Sequence, residues 1–174
     1  MKQNFVHLHV HTEFSLQDSI VRIKDLVRSV ARMGMPAVAV TDLANLFAVV
    51  KFYKQALANG IKPVIGSDVW IENPEDHNKP YRLVLLCQNI VGYRNLSRLL
   101  SRAYIEGQHS GRPCIHPDWL SGSSDGLIVL SGAEAVARRP LGPKVLWRFQ
   151  IIGVIIIFGI IFLAVTSDIL SFMG

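Results

Sequence analysis

An α/β fold is what this sequence predicts, and three observations carry it. Apolar runs of strand length recur, at Ala37–Val40, at 83–86 and, within the glycine-bounded stretch 126–132, at 127–130. Between them lie stretches with helical hydrophobic spacing: Ile20, Ile23, Leu26, Val27, Val30 and Ala31 in one, Leu96, Leu99, Leu100 and Ala103 in another. Polar residues punctuate the strands, with Thr41-Asp42 after one and Ser67-Asp68 within another. Alternating strand and helix periods point to βαβ units, and strands apolar on both faces point to a parallel sheet covered by helices.

The first element is His7-Leu8-His9-Val10-His11-Thr12. Read as a strand, it places His7, His9 and His11 on one face and Val6, Leu8 and Val10 on the other. Three imidazoles in a row meet a metal, meet a set of acceptors, or line a wet groove. A turn over residues 13–19 leads into the first helix, which Gly34 stops and Pro36 forbids from continuing. The apolar strand Ala37–Val40 follows, then a helix over about 46–59 that ends at Gly60. Residues 62–66 lead into Val69-Trp70-Ile71, and a loop rich in Asn, Asp and Pro separates these from the strand at 83–86. Gly92-Tyr93-Arg94-Asn95 opens the third helix, residues 106–124 read as loop, and 126–132 is a fifth strand. Chemistry in such folds collects at the carboxyl ends of the strands, and the polar punctuation follows that pattern: His11-Thr12 comes after the first strand, Thr41-Asp42 after the second and Ser67-Asp68 within the third.

The 174 residues suffice for one ordinary domain or part of a larger one. The hydrophobic fraction of 50% and mean hydropathy of +0.32 are high, but the excess is concentrated in an apolar run at 151–165. Net charge is +5, with Arg138, Arg139, Lys144 and Arg148 clustered before that run. This balance permits nucleic-acid contact without requiring it. Two cysteines without a C-x-x-C spacing give no disulfide framework and suit a reducing compartment, and the N-terminus carries no signal peptide.

Several segments, in order, resemble the first half of the PHP (polymerase and histidinol phosphatase) domain that opens the bacterial DNA polymerase III alpha subunit. They are Phe5 to Leu16, Ala39-Val40-Thr41-Asp42-Leu43-Ala44-Asn45-Leu46, Gly60 to Asp68, Leu83 to Leu86, Gly92 to Leu96 and Gly126 to Gly132. The resemblance covers residues 5–133, so 1–133 is assigned as a partial PHP domain, 134–150 as a basic linker and 151–174 as a hydrophobic tail. It implies the first part of a distorted (β/α)7 barrel, incomplete here, with metal ions in its mouth.

By the same resemblance His9 and His11 match a metal-binding His-x-His pair, and Asp68 stands where a Glu ligand is usual. Asp42 is a further candidate ligand. Leu43 replaces a His after Asp42, and Arg82 stands where a His commonly precedes the fourth strand. A guanidinium brings like charge and no lone pair to a cation site. A complete site would bind zinc or manganese and activate water for phosphoester hydrolysis. The residues present favour a degenerate, structural PHP domain.

The family's reaction is nucleotidyl transfer to a DNA 3′ end with Mg²⁺ held in a palm domain, none of which lies in these residues. The implied partners are DNA through the polymerase domains and replicative subunits such as the proofreading exonuclease, in the cytoplasm. A stand-alone metal-dependent phosphoesterase and a membrane-anchored interaction module are the competing expectations.

Other features read simply. Arg94, Arg98 and Arg102 at i, i+4, i+8 form a solvated helix face or a track for phosphates. Trp70 and Trp119 are read as packing residues, and no role is given to His109 or His116. From 149 to 167 no residue is charged, the minimum span of a transmembrane helix. A buried core helix and a shifted or fused reading frame are the alternatives for that tail.

Overall fold

The computed structural model describes residues 5–131. The basic linker at 134–150 and the apolar run in 151–174 lie outside these residues, and so does the expected tail helix. Among the described residues no helix is long and apolar enough to cross a membrane.

After a short 3₁₀ turn at Glu13–Ser15, helix α1 (Ile23–Arg32) precedes strand β1 (Ala37–Val40) and helix α2 (Val49–Ala58). Strands β2 (Lys62–Ile71) and β3 (Tyr81–Cys87) follow, then helix α3 (Ile90–Glu106). The described part closes with β4 (Gln108–His109), β5 (Arg112–Ile115), the short helix α4 (Pro117–Ser121) and β6 (Leu127–Ser131).

The ends of α1 follow its sequence. Ile23, Val27 and Val30 recur every three or four residues and form its buried stripe. Gly34 then takes φ +68°, a left-handed conformation that a side chain would strain, and the chain turns into β1. At the start of α3 the Asn89 side chain caps the helix, its Oδ1 accepting from Val91 N at 2.9 Å and Gly92 N at 3.1 Å.

Strand β2 is the spine of the sheet. Its first half pairs in parallel with β1, with Ala37 opposite Lys62 and Val40 opposite Ile65. Its last two residues pair in parallel with β5, and its other edge pairs antiparallel with β3 from Gly66–Leu86 to Ile71–Tyr81. Strand β6 is antiparallel to β3. The sheet is therefore mixed, which corrects the expectation of a parallel one. The connection from Ile71 to Tyr81 is too short for a crossover helix, which needs a dozen residues or more, so β2 and β3 form a hairpin.

The histidine stretch is not a regular strand. Ala39 N donates to His7 O at 2.8 Å and Thr41 N donates to Val10 O at 2.9 Å. A step of two residues at the end of β1, from Ala39 to Thr41, thus matches a step of three in the stretch, from His7 to Val10, and the extra residue breaks the ladder as a bulge does. Residues 106–124, expected as loop, contain β4, β5 and α4. The two short strands form a hairpin around Ser110 and Gly111, both at positive φ (50° and 74°), as a type I′ turn requires.

Strand alternation sorts the core. Val38 and Val40 of β1 pack outward with Ile23, Val27, Val30, Phe52 and Ala56 of α1 and α2. Leu85 of β3 and Val69 and Ile71 of β2 pack against Leu96, Leu99 and Ala103 of α3. Ala39, Val84 and Leu86 gather on the opposite face of the sheet. Each fully buried Ile, Leu or Phe contributes about 1.5–3 kcal/mol, so these two helix-facing layers dominate the stability of the scaffold.

Candidate metal centre

On the face opposite the helices, Asp68, Trp70, Arg82 and Val84 are neighbours. Asp68 pairs with Val84 and Trp70 with Arg82 across the β2–β3 ladder, and residues two apart share a face. The histidine stretch crosses this face beside β1 and brings two imidazoles to Asp68.

His9 Nε2 lies 3.1 Å and His11 Nε2 3.2 Å from Asp68 Oδ2, and the two ring nitrogens are 3.2 Å apart. Among the described residues these three form a group that could hold a metal ion. Ligand atoms about 2.0–2.1 Å from a tetrahedral ion stand about 3.3 Å from one another, and catalytic zinc sites use three protein ligands. In number and spacing the triangle suits one ion.

Arg82 changes the electrostatics. Its Nη2 donates to the same Asp68 Oδ2, and the guanidinium stacks 4.8 Å from the centre of the Trp70 ring. Burial alone would raise the Asp68 carboxyl pKa. Hydrogen bonds from His11 and Arg82, with the charges of Arg82 and His9, outweigh it and hold the pKa below the usual carboxylate range. Asp68 is 2% exposed, and its second oxygen, Oδ1, is buried without a hydrogen-bond partner. The anionic oxygen that would grip a metal is thus engaged by a fixed cation. Like unit charges 4 Å apart repel by about 4 kcal/mol at the effective dielectric near a protein surface, and a divalent ion doubles this. With Arg82 in place, the triangle meets a divalent cation with a like charge at its centre.

Asp18, in the turn after the histidines, escaped the sequence reading. Its Oδ2 lies 3.5 Å from His11 Nδ1 and 3.8 Å from Arg82 Nη2. It orients His11 from the rear, the role a carboxylate plays behind a ligating imidazole. An acidic residue seven positions from the His-x-His pair was the only available signal.

Asp42 stands apart from the cluster. Its Oδ1 accepts from Thr12 N at 2.6 Å and Ser15 Oγ at 2.8 Å, and its Oδ2 accepts from Thr12 Oγ1 at 2.8 Å. All three donors come from the segment just after His11. Asp42 ties the histidine stretch to the end of β1 and thereby positions His9 and His11. Leu43 bridges to Asp68 through the backbone and brings no ligand atom. His7 is exposed, its ring edge-on to Phe5 at 4.8 Å.

The other residues singled out from sequence lie elsewhere. Arg102 pairs with Glu106 at 2.7 Å and stacks 4.1 Å from the Trp119 ring centre. His116 caps α4, accepting from Asp118 N at 3.3 Å. Trp70, by contrast, borders the cluster: besides Arg82, the Arg112 guanidinium lies 5.3 Å from its ring centre.

A family model described as the PHP domain matches residues 7–153, running past residue 133, where the sequence motifs stop. The DNA polymerase III subunit alpha of Pseudomonas aeruginosa is 51% identical over 134 residues, which cover 77% of this chain and 11% of that protein. Its counterpart in Xylella fastidiosa is 43% identical over 153 residues (79% and 13%), and that of Vibrio cholerae 44% over 131 (75% and 11%). This chain spans 11–13% of the length of these relatives. Among solved structures, an amidohydrolase from Chromobacterium violaceum overlays with a TM-score of 0.45 at 17% identity, covering 56% of this chain and 32% of that one.

Proposed function

The chain belongs to the PHP domain family, and we propose that it is the N-terminal PHP region of a DNA polymerase III alpha subunit, with a structural cluster where a metal centre would stand. The identity of 43–51% to alpha subunits supports the first part of this reading. The second part rests on one observation, the guanidinium of Arg82 on the carboxylate of Asp68.

In this reading His9, His11, Asp18, Asp68 and Arg82 form a closed polar network that joins the histidine stretch to β2 and β3. The strands described are the opening of a distorted (β/α)7 barrel. The full-length protein acts as a cytoplasmic DNA-directed DNA polymerase, with Mg²⁺ and the DNA held by domains outside this chain. Its PHP region supports those domains and contacts replicative subunits such as the proofreading exonuclease.

Measuring metal content and hydrolysis together tests the structural role. After equilibration with zinc or manganese and removal of free metal, the chain is expected to retain well under one equivalent. It is also expected to leave p-nitrophenyl phosphate and bis-p-nitrophenyl phosphate intact. A retained stoichiometric ion, with hydrolysis lost in His9→Ala, would establish the second reading, a metal-dependent phosphoesterase. The 3.1–3.2 Å triangle of ligand atoms is the observation that favours that alternative.

A further inference from the structure

Where α3 passes the segment between β1 and α2, the surface holds a groove of about 350 Å³ that the polar cluster does not use. Leu46 and Phe47 form one wall, and Tyr93, Leu100 and Tyr104 of α3 form the other. Phe47 is 69% exposed and Tyr104 47%, so two aromatic rings stand largely in water beside an apolar depression. Apolar surface left exposed and rimmed by polar residues is where protein interaction sites form.

The surrounding charge is one-sided. Residues 43–59 contain Lys51 and Lys54 and no acidic residue, and α3 carries Arg94, Arg98 and Arg102 against Glu106 alone. Lys51 is paired with Glu13 and Arg102 with Glu106. Lys54, Arg94 and Arg98 form no ion pair among the described residues. Arg94 follows Tyr93 and Arg98 follows Ser97, so the two arginines make the next row of α3 beside the row that lines the groove.

We propose that this groove docks an acidic amphipathic helix of a partner protein. Its apolar side chains seat between Phe47 and Tyr104, and its carboxylates face Arg94 and Arg98. Helix-in-groove recognition combines an apolar stripe with flanking charge, and both halves of that complement are present here. A nucleic acid would use the arginines and leave the apolar floor idle, so a peptide fits the whole surface better.

Fluorescence anisotropy on the full chain tests this with a labelled helical peptide of about sixteen residues, Leu at i, i+3, i+4, i+7 spacing and Glu elsewhere. A control peptide carries Lys in place of Glu. The Glu peptide is expected to bind and to weaken as salt rises, while the Lys peptide does not bind. Phe47→Glu and Tyr104→Ala should each weaken binding by about tenfold or more, as hot-spot truncations do. Arg94→Glu with Arg98→Glu should weaken it and flatten the salt dependence, all at unchanged melting temperature.

Failure of the Glu peptide to bind, or equal binding of both peptides, overturns the proposal. So does binding that depends on the arginines but not on Phe47 or Tyr104, which assigns the surface to electrostatic capture of a polyanion such as DNA. Self-association abolished by Phe47→Glu also overturns it, by making the occupant a second copy of this chain. Should one aromatic variant lower the melting temperature, the other carries the test.

Discussion

Arg82 donates to the one oxygen of Asp68 that His9 and His11 both face, so a guanidinium occupies the electrostatic centre of a histidine–carboxylate cluster. Removing it should have two opposite effects. Arg82→Ala leaves a carboxylate that is 2% exposed without its strongest partner, and breaking such a buried pair costs about 3 kcal/mol. The same change removes the charge that opposes a cation. The variant is expected to unfold at lower urea concentration than the parent in EDTA, and to recover part of that loss in zinc as it binds about one equivalent. Titration calorimetry with zinc, beside urea unfolding with and without the metal, measures both. Zinc uptake by the parent equal to that of the variant would refute the role assigned to Arg82.

Asp42 is expected to behave as a structural residue. Its three hydrogen bonds, from Thr12 N, Thr12 Oγ1 and Ser15 Oγ, all lie in a buried pocket. Asp42→Ala strands those donors, at about 1–3 kcal/mol for each group left unsatisfied and not re-solvated. Asp42→Asn keeps one oxygen for Thr12 N and Ser15 Oγ, and its amide can donate to the Thr12 hydroxyl. The order of stability by urea unfolding should be parent, then Asn, then Ala. A ligand role would instead show as changed metal affinity at unchanged stability.

Much of this fold was legible because local periodicity and burial agree. The stripe Ile23, Val27, Val30 and the wholly buried Ala37–Val40 read correctly from spacing alone. The hairpin of β2 and β3 was written in the nine residues between Ile71 and Tyr81, a length that excludes a parallel crossover, yet apolar strands drew the reading toward a parallel sheet. Strands β4 and β5 escaped because two- and four-residue strands leave almost no periodic signal. In the cluster, His9, His11 and Asp68 were singled out by the family resemblance, and the fold brings their side chains together. The resemblance put Arg82 near the site, but its contact with Asp68 and the part played by Asp18 were not legible, because they depend on which residues the β2–β3 register and the turn bring together.

Cys87 gives a prediction with a definite sign. Burial pushes its thiol up to about 11, from an ordinary value near 9. Between those values the folded chain keeps the proton that the unfolded chain loses, so stability is fully present below about pH 9 and falls as pH rises toward 11. The thiol form should also leave Cys87 slow to alkylate at pH 8, because the thiolate is the nucleophile. Cys114, buried and beside the Glu72 charge, is shifted in the same direction. Iodoacetamide labelling followed by mass spectrometry from pH 7 to 10 checks this, and rapid labelling of native Cys87 at pH 7 would contradict it.

Gly92 should tolerate no side chain. A Cβ there would fall well inside contact distance of the Gly126 carbonyl oxygen, in the turn that leads into β6. Gly126 itself holds φ +72°, and its carbonyl accepts from Gln88 N at 2.9 Å. Asn95 Nδ2, one turn along α3, donates to Asp125 O at 2.9 Å. The Gly-Tyr-Arg-Asn sequence that opens α3 is therefore a close-packing device: its glycine lets the helix touch the turn and its asparagine fastens it there. Because the obstacle is backbone held on both sides, it cannot yield as a flexible side chain would. Gly92→Ala should cost at least about 2–3 kcal/mol by overpacking, although alanine favours helix at an unhindered position by up to about 1 kcal/mol. Asn95→Ala should cost about 1 kcal/mol, the worth of one hydrogen bond. Urea unfolding of the two variants decides it, and a Gly92→Ala chain as stable as the parent would show that α3 and the β6 turn do not meet as closely as described.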